Sequence, residues 1–243
     1  MKIFVTGIGW VGAAGMGTGR GSAPFSLPPG NLPHISRHEV FPDPDSRFGR
    51  LDAFSRLALA GVALALRDAG IEKWTEPRAV GIAASTTYGC MGTDLDYLAT
   101  LGEAPGLASP QLFAYTLPNV FLGEAAIRFG LTGPTVIVSD EEGTGTAALE
   151  TALDYVAGGG GTALAGICDL ARPALLPERP EPPPGALFLV LEQRPTLEPL
   201  GTLSARGIRQ GNPDDTHDLR ALAARLCAGS RTGRSDTLGR GAS

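Results

Sequence analysis

Residues 133–155, GPTVIVSDEEGTGTAALETALDY, constrain the fold more than any other stretch. Thr135, Val136, Ile137 and Val138 make a β-branched run that reads as a buried strand. Ala147, Ala148, Leu149, Ala152, Leu153 and Val156 then recur at helical spacing, so a strand turns sharply into a helix. A helix start presents unpaired N–H groups and the positive end of a dipole, which suits nucleophiles and anions. This turn holds Asp140, Glu141 and Glu142. Two accounts of them stand side by side: they cap a helix beginning at Gly143, or one of them pairs with a donor on a partner.

The same two periods recur along the chain. Residues 2–6, 79–84, 162–168 and 186–192 read as buried strands, and 52–69, 93–101 and 117–129 as helices. Residues 34–41 read as a surface hairpin or edge strand, and 173–184, with six prolines, as an extended loop. Residues 200–209 are compatible with a further strand and 216–226 with a helix. Strands alternating with helices predict an α/β fold with right-handed connections. The expected organisation is one domain over 1–210, a C-terminal helix within 211–229, and a polar, glycine-rich tail at 230–243 without structure.

Composition narrows the function classes. Net charge is −5 with scattered basic residues, which leaves no electrostatic footprint for nucleic acid and no long-range steering of an acidic partner. Cys90, Cys168 and Cys227 lack CxxC spacing and His34, His38 and His217 form no metal motif, so no metal site is expected and a reducing, cytoplasmic setting is. No apolar run approaches the roughly 20 residues of a membrane span, and Lys2 leads straight into a strand, so a soluble, unexported protein is expected. Gly7, Gly9 and Gly12 match GxGxxG, but no helix starts there and no acidic residue ends a second strand about 20 residues on. They read as turn formers, and no cofactor is expected. Cys90 has no histidine near it in sequence and reads as a small buried thiol.

Several segments carry a family resemblance together. IFVTGIGWVG, RFGRLDAFSRLALAGVALALRDAGI, AVGIAAS, SPQLFAYTLPNVFLGEAAIRFGLTGP, the strand and turn from Gly133, and ALFLVLEQ follow one another over residues 1–192. In that order they resemble the N-terminal half of β-ketoacyl-acyl carrier protein synthases, condensing enzymes of the thiolase-like superfamily. The resemblance implies a thiolase-like half-fold: α/β, with a mixed five-stranded sheet of order 3-2-1-4-5 whose last strand is antiparallel. Counting from Gly133-Pro134 puts Glu142 at the family's nucleophilic cysteine position. The histidines and lysine of the family's second half have no counterpart motif, so no catalytic residue is expected and no condensing activity by the chain alone.

Type II polyketide systems pair a synthase with an inactive homologue, the chain length factor. This sequence is similar to a short member of that class, of the aryl polyene type, with glutamate where glutamine is usual. The partners so implied are a complete β-ketoacyl-acyl carrier protein synthase, as a heterodimer, and the acyl carrier protein through that complex. Thr135, Val136, Ile137, Val138 and Ser139 are expected at the partner interface. Leu112, Phe113 and Tyr115 are expected either to close the partner's acyl pocket or only to pack the interface. Two other functions remain open at this stage. One is a malonyl-carrier decarboxylase or acyltransferase using Glu142 or Cys90; the other is an NAD(P)-binding protein built on Gly7, Gly9 and Gly12.

Overall fold

A computed structural model describes residues 1–43, 45–103, 108–178, 180, 182–204 and 218–238. Its strands, in chain order, are β1 (Lys2–Gly12), β2 (Gly15–Thr18), β3 (Val80–Thr86), β4 (Thr135–Ser139), β5 (Thr162–Asp169), β6 (Gly185–Glu192) and β7 (Gly201–Ser204). They join in one sheet of order β2-β1-β6-β5-β3-β4, with β7 also on β1. β3, β5 and β6 are buried over nearly their whole length, and strands covered on both faces need helices on each side.

The helices are α1 (Arg37–Val40), α2 (Ala53–Asp68), α3 (Met91–Glu103), α4 (Pro110–Phe113), α5 (Val120–Phe129), α6 (Thr146–Tyr155) and α7 (Leu219–Leu238). α2 and α5 cover one face in a core built around Phe54, Phe121, Phe129 and Phe188. α6 and the start of α7 cover the other, where Leu149, Leu153, Leu219 and Leu222 meet Ile3, Ile8, Leu187 and Leu189.

Counting the five family strands in chain order, the observed order is 3-2-4-5-1, not the expected 3-2-1-4-5. β6 returns antiparallel along all of β5, from Thr162 opposite Glu192 to Asp169 opposite Gly185, and β1 pairs with the far side of β6. The Phe188 ring is accommodated in this arrangement by two glycines. It lies over Gly166 of β5, where a Cβ would come within 2.1 Å of the ring, and against Gly61 of α2. The α/β class and the single antiparallel strand among the five are as expected.

The glycines of the GxGxxG match are not turn formers. They lie within β1, which runs to Gly12 and turns back as β2, where a loop was expected. α2 lies directly against β1: a Cβ on Gly7 would sit 2.3 Å from the Ala65 carbonyl oxygen, and one on Gly9 2.2 Å from the Ala65 nitrogen. Glycine here admits a helix backbone, which leaves no room for a dinucleotide at this place.

Three local expectations also change. Residues 34–41 contain the one-turn helix α1, whose Glu39 carboxylate accepts from the Ser36 amide (2.9 Å), in place of a hairpin or edge strand. The strand of the opening motif, β4, lies at the sheet edge, with Thr135, Val136 and Ser139 exposed. α7 continues to Leu238, through much of the tail expected to lack structure. The boundary expected at 210/211 falls outside the described residues.

Candidate functional site

The turn between β4 and α6 is organised by Asp140 alone among its three carboxylates. Asp140 Oδ1 accepts from the Gly143 amide (2.9 Å) and Oδ2 from the Gly145 amide (2.7 Å). Gly143 (φ 62°) and Gly145 (φ 76°) take left-handed conformations that let the chain fold back over the carboxylate. α6 therefore begins at Thr146, three residues later than expected, and its N-cap Gly145 supplies no side chain. Glu141 and Glu142 are exposed and make no hydrogen bond or ion pair among the described residues. The capping account thus holds for none of the three: Asp140 closes the turn ahead of α6 without bonding an amide inside the helix, and Glu142, at the nucleophile position, has no bonded partner among the described residues.

A second carboxylate holds the neighbouring loop. Asp169, buried at the end of β5, accepts through Oδ1 from the Thr86 hydroxyl (2.8 Å), the Thr87 amide (2.7 Å) and the Tyr88 amide (3.0 Å). Burial pushes its pKa up; those hydrogen bonds and the Arg220 charge oppose the shift. The Thr87 hydroxyl donates to the Asp140 carbonyl (2.8 Å), which joins the two loops.

Arg220 of α7 reaches the same turn and donates through Nη1 to the Gly143 carbonyl. Burial lowers its pKa, and Asp218, Asp169 and Asp140 act against this. Sequence reasoning found neither Arg220 nor Asp169. Asp169 ends an apolar strand, which is a usable signal, but the placing of Arg220 depends on how α7 docks.

Cys90 does not fit a nucleophile. It is buried, its Sγ lies 3.7 Å from Asp94 Oδ1, and burial followed by the Asp94 and Asp52 charges pushes its thiol up to about 12. A thiol that is neutral at pH 7 is a poor attacking group. Cys168 is buried with its pKa also raised, chiefly by burial. Among the described residues, no group of His, Cys, Asp and Glu is suited to a metal ion and no helix is long and apolar enough to cross a membrane.

Among the described residues, β4 is hydrogen-bonded on one side only. The Ile82 amide donates to the Pro134 carbonyl and the Asp140 amide to the Thr86 carbonyl (both 2.9 Å). A parallel ladder uses alternate residues, so 134, 136, 138 and 140 face β3. The backbone groups of Thr135, Ile137 and Ser139 point to the open edge. Ile137 packs on the core of α2 and α5, whereas Val136, 38% exposed, borders an apolar cleft of about 50 Å³ formed with Thr151, Ala152 and Tyr155 of α6.

The three residues expected to close a partner's acyl pocket or to pack the interface differ in exposure. Phe113 is 61% exposed and packs at a tilt against Tyr97 with ring centroids 5.4 Å apart. Leu112 is half-buried, and Tyr115 turns inward against the α2 and α5 core. Leu98, Leu101 and Leu117 are exposed like Phe113, so the region of α3 and α4 is an apolar surface on this chain.

No curated protein sequence matches this chain. Solved structures do share its fold. One is a ketosynthase in complex with its chain length factor from Xenorhabdus doucetiae, at 21% identity over 71% of this chain and 67% of that chain, TM-score 0.52. Another is the ishigamide ketosynthase/chain length factor, at 20% identity over 84% and 66%, TM-score 0.62. A third is a type II polyketide acyl-carrier protein in complex with its ketosynthase bound to the hexaketide, at 18% identity over 84% and 67%, TM-score 0.62. The chain thus spans about two thirds of the length of these relatives. The family described as the β-ketoacyl synthase N-terminal domain matches residues 36–173, more than half of the sequence and all of the site from Thr86 to Asp169. The chain belongs to the β-ketoacyl synthase N-terminal domain family.

Proposed function

We propose that this chain is a non-catalytic partner of a complete β-ketoacyl-acyl carrier protein synthase. Its role is that of a chain length factor in cytoplasmic polyketide biosynthesis, of the aryl polyene type, or in fatty acid biosynthesis. The observation that carries the reading is the open edge of β4: a β-branched strand with three residues' backbone groups unpaired, next to a nucleophile turn without a nucleophile. An apolar, β-branched edge left bare is an aggregation liability, so a partner strand is its natural cover. The exposed Phe113, Leu98 and Leu117 extend an apolar surface suited to the same partner. Acyl carrier protein reaches the complex through the synthase, since this chain has a net charge of −5.

Co-expression with a complete synthase, followed by size-exclusion chromatography, tests the proposal. A stable one-to-one complex without condensing activity from this chain alone is expected, and a monomer that ignores the synthase at micromolar concentration refutes it. Glu142→Cys is expected to yield no β-ketoacyl product either, because the sequence carries no counterpart of the motifs that bring the family's second-half histidines.

A further inference from the structure

α7 begins with an apolar stripe at helical spacing, Leu219, Leu222, Ala223, Leu226 and Cys227, all buried on the α6 side of the sheet. Beyond it Ala228 and Gly229 are exposed, so over residues 218–229 the apolar contact with the sheet comes from these five side chains. The first turn of α7 is tied to the turn before α6. The Leu219 amide donates to the Thr144 carbonyl (2.8 Å), and Arg220 Nη1 donates to the Gly143 carbonyl. Leu219 also fills the space beside Gly145, where a Cβ would lie 3.0 Å from its own.

The peptide between Thr144 and Gly145 is consequently gripped at both ends. Its carbonyl is held by α7 and its amide by Asp140 Oδ2. The neighbouring glycine is held in the same way, with the Gly143 amide on Asp140 Oδ1 and the Gly143 carbonyl on Arg220. Both glycines are free of the steric limits that would otherwise fix φ, so the grip is what defines their conformation. Without α7, both carbonyls lose their donors, and the cheapest response is to rotate these peptides toward water.

We propose that α7 is an internal latch, with Arg220 as its positioning residue. Docked, it keeps turn 140–145 closed with the Gly143 and Gly145 amides committed to Asp140; undocked, it releases the turn and frees those donors at the start of α6. The latch and the turn form one two-state unit, independent of whether a synthase is bound.

Hydrogen exchange by mass spectrometry on the full chain tests this, with wild type compared against Arg220→Ala and Leu222→Asp. In Arg220→Ala, exchange over 140–146 is expected to rise about tenfold while β5 and β6 stay protected. Free methylguanidinium at millimolar concentration is expected to reverse the change, which a general loss of packing would not show. Turn exchange at the wild-type rate, or no response to methylguanidinium, overturns the proposal. Should Arg220→Ala also loosen β5 and β6, Leu222→Asp decides. Faster exchange in both α7 and the turn, with β5 and β6 protected, supports the latch; a turn that stays protected after α7 has loosened overturns it.

Discussion

The open edge of β4 can be blocked without touching the fold of this chain. Thr135 and Ser139 are exposed, and by the ladder's alternation their amides point away from β3. Replacing both with proline removes two edge donors and sets pyrrolidine rings in the path of an incoming strand, which must approach to about 4.8 Å. Edge positions tolerate proline, so the melting temperature of the isolated chain is expected to stay within about 3 °C of wild type. Each lost donor is worth a net ~0.5–1.5 kcal/mol. Two therefore weaken association with the synthase by about 5- to 150-fold before any steric term is counted. Val136→Pro is the contrasting variant. Its amide faces β3, so it should destabilise the isolated chain itself. Titration calorimetry with the synthase, alongside thermal melts, reads both effects. Wild-type affinity in a folded Thr135→Pro/Ser139→Pro chain would show that the partner binds elsewhere.

Gly9→Val is expected to destabilise the chain by about 3 kcal/mol or more in urea unfolding, because its Cβ would meet the α2 backbone, which cannot rotate aside as a side chain can. Asp169 has a raised pKa in the folded state, so its contribution to stability is fully present below the unfolded value of about 3.9 and is lost as pH rises toward the folded value. Asp169→Asn keeps the Oδ1 acceptor for Thr86, Thr87 and Tyr88 and should abolish that fall, whereas Asp169→Ala should cost about 3 kcal/mol by orphaning those donors; urea titrations between pH 4 and 7 compare the three proteins. Phe113→Ala, at an exposed position, should leave stability within about 0.5 kcal/mol and lengthen the acyl chains made by the assembled complex. Mass spectrometry of carrier-bound products would show an unchanged distribution if Phe113 only packs the interface.

The elements themselves were legible where burial is two-sided or the helical period is strong. β3, β5 and β6 read as apolar runs because helices cover both of their faces, and α2 and α6 show their inward stripes directly. Strand order was not legible, because it depends on where the Phe188 ring fits against Gly166 and Gly61, and those residues are far apart in sequence. The same run that marked β4 as a strand gave no sign of its edge position: a β-branched sequence looks alike whether its cover comes from within the chain or from another one. Gly7 and Gly9 were misread because a helix lying on a strand and a tight turn both demand the absence of a Cβ. At the site, position 142 could be counted from Gly133-Pro134, but the division of labour among Asp140, Glu141 and Glu142 could not, since it follows from the φ angles of Gly143 and Gly145.

The two sides of the sheet are finished differently. Along the outer side of β1, β7 covers Lys2 to Val5 and β2 covers Gly9 to Gly12, two four-residue strands laid end to end. Strands so short offer little template for further pairing, and β2 is tied back to β1 by its own hairpin. Growth by strand addition needs a receptive margin on each side of the subunit, and among the described residues β4 is the one unbroken apolar margin. In the proposed assembly, pairing through β4 therefore closes after a single step and yields a pair, not a filament.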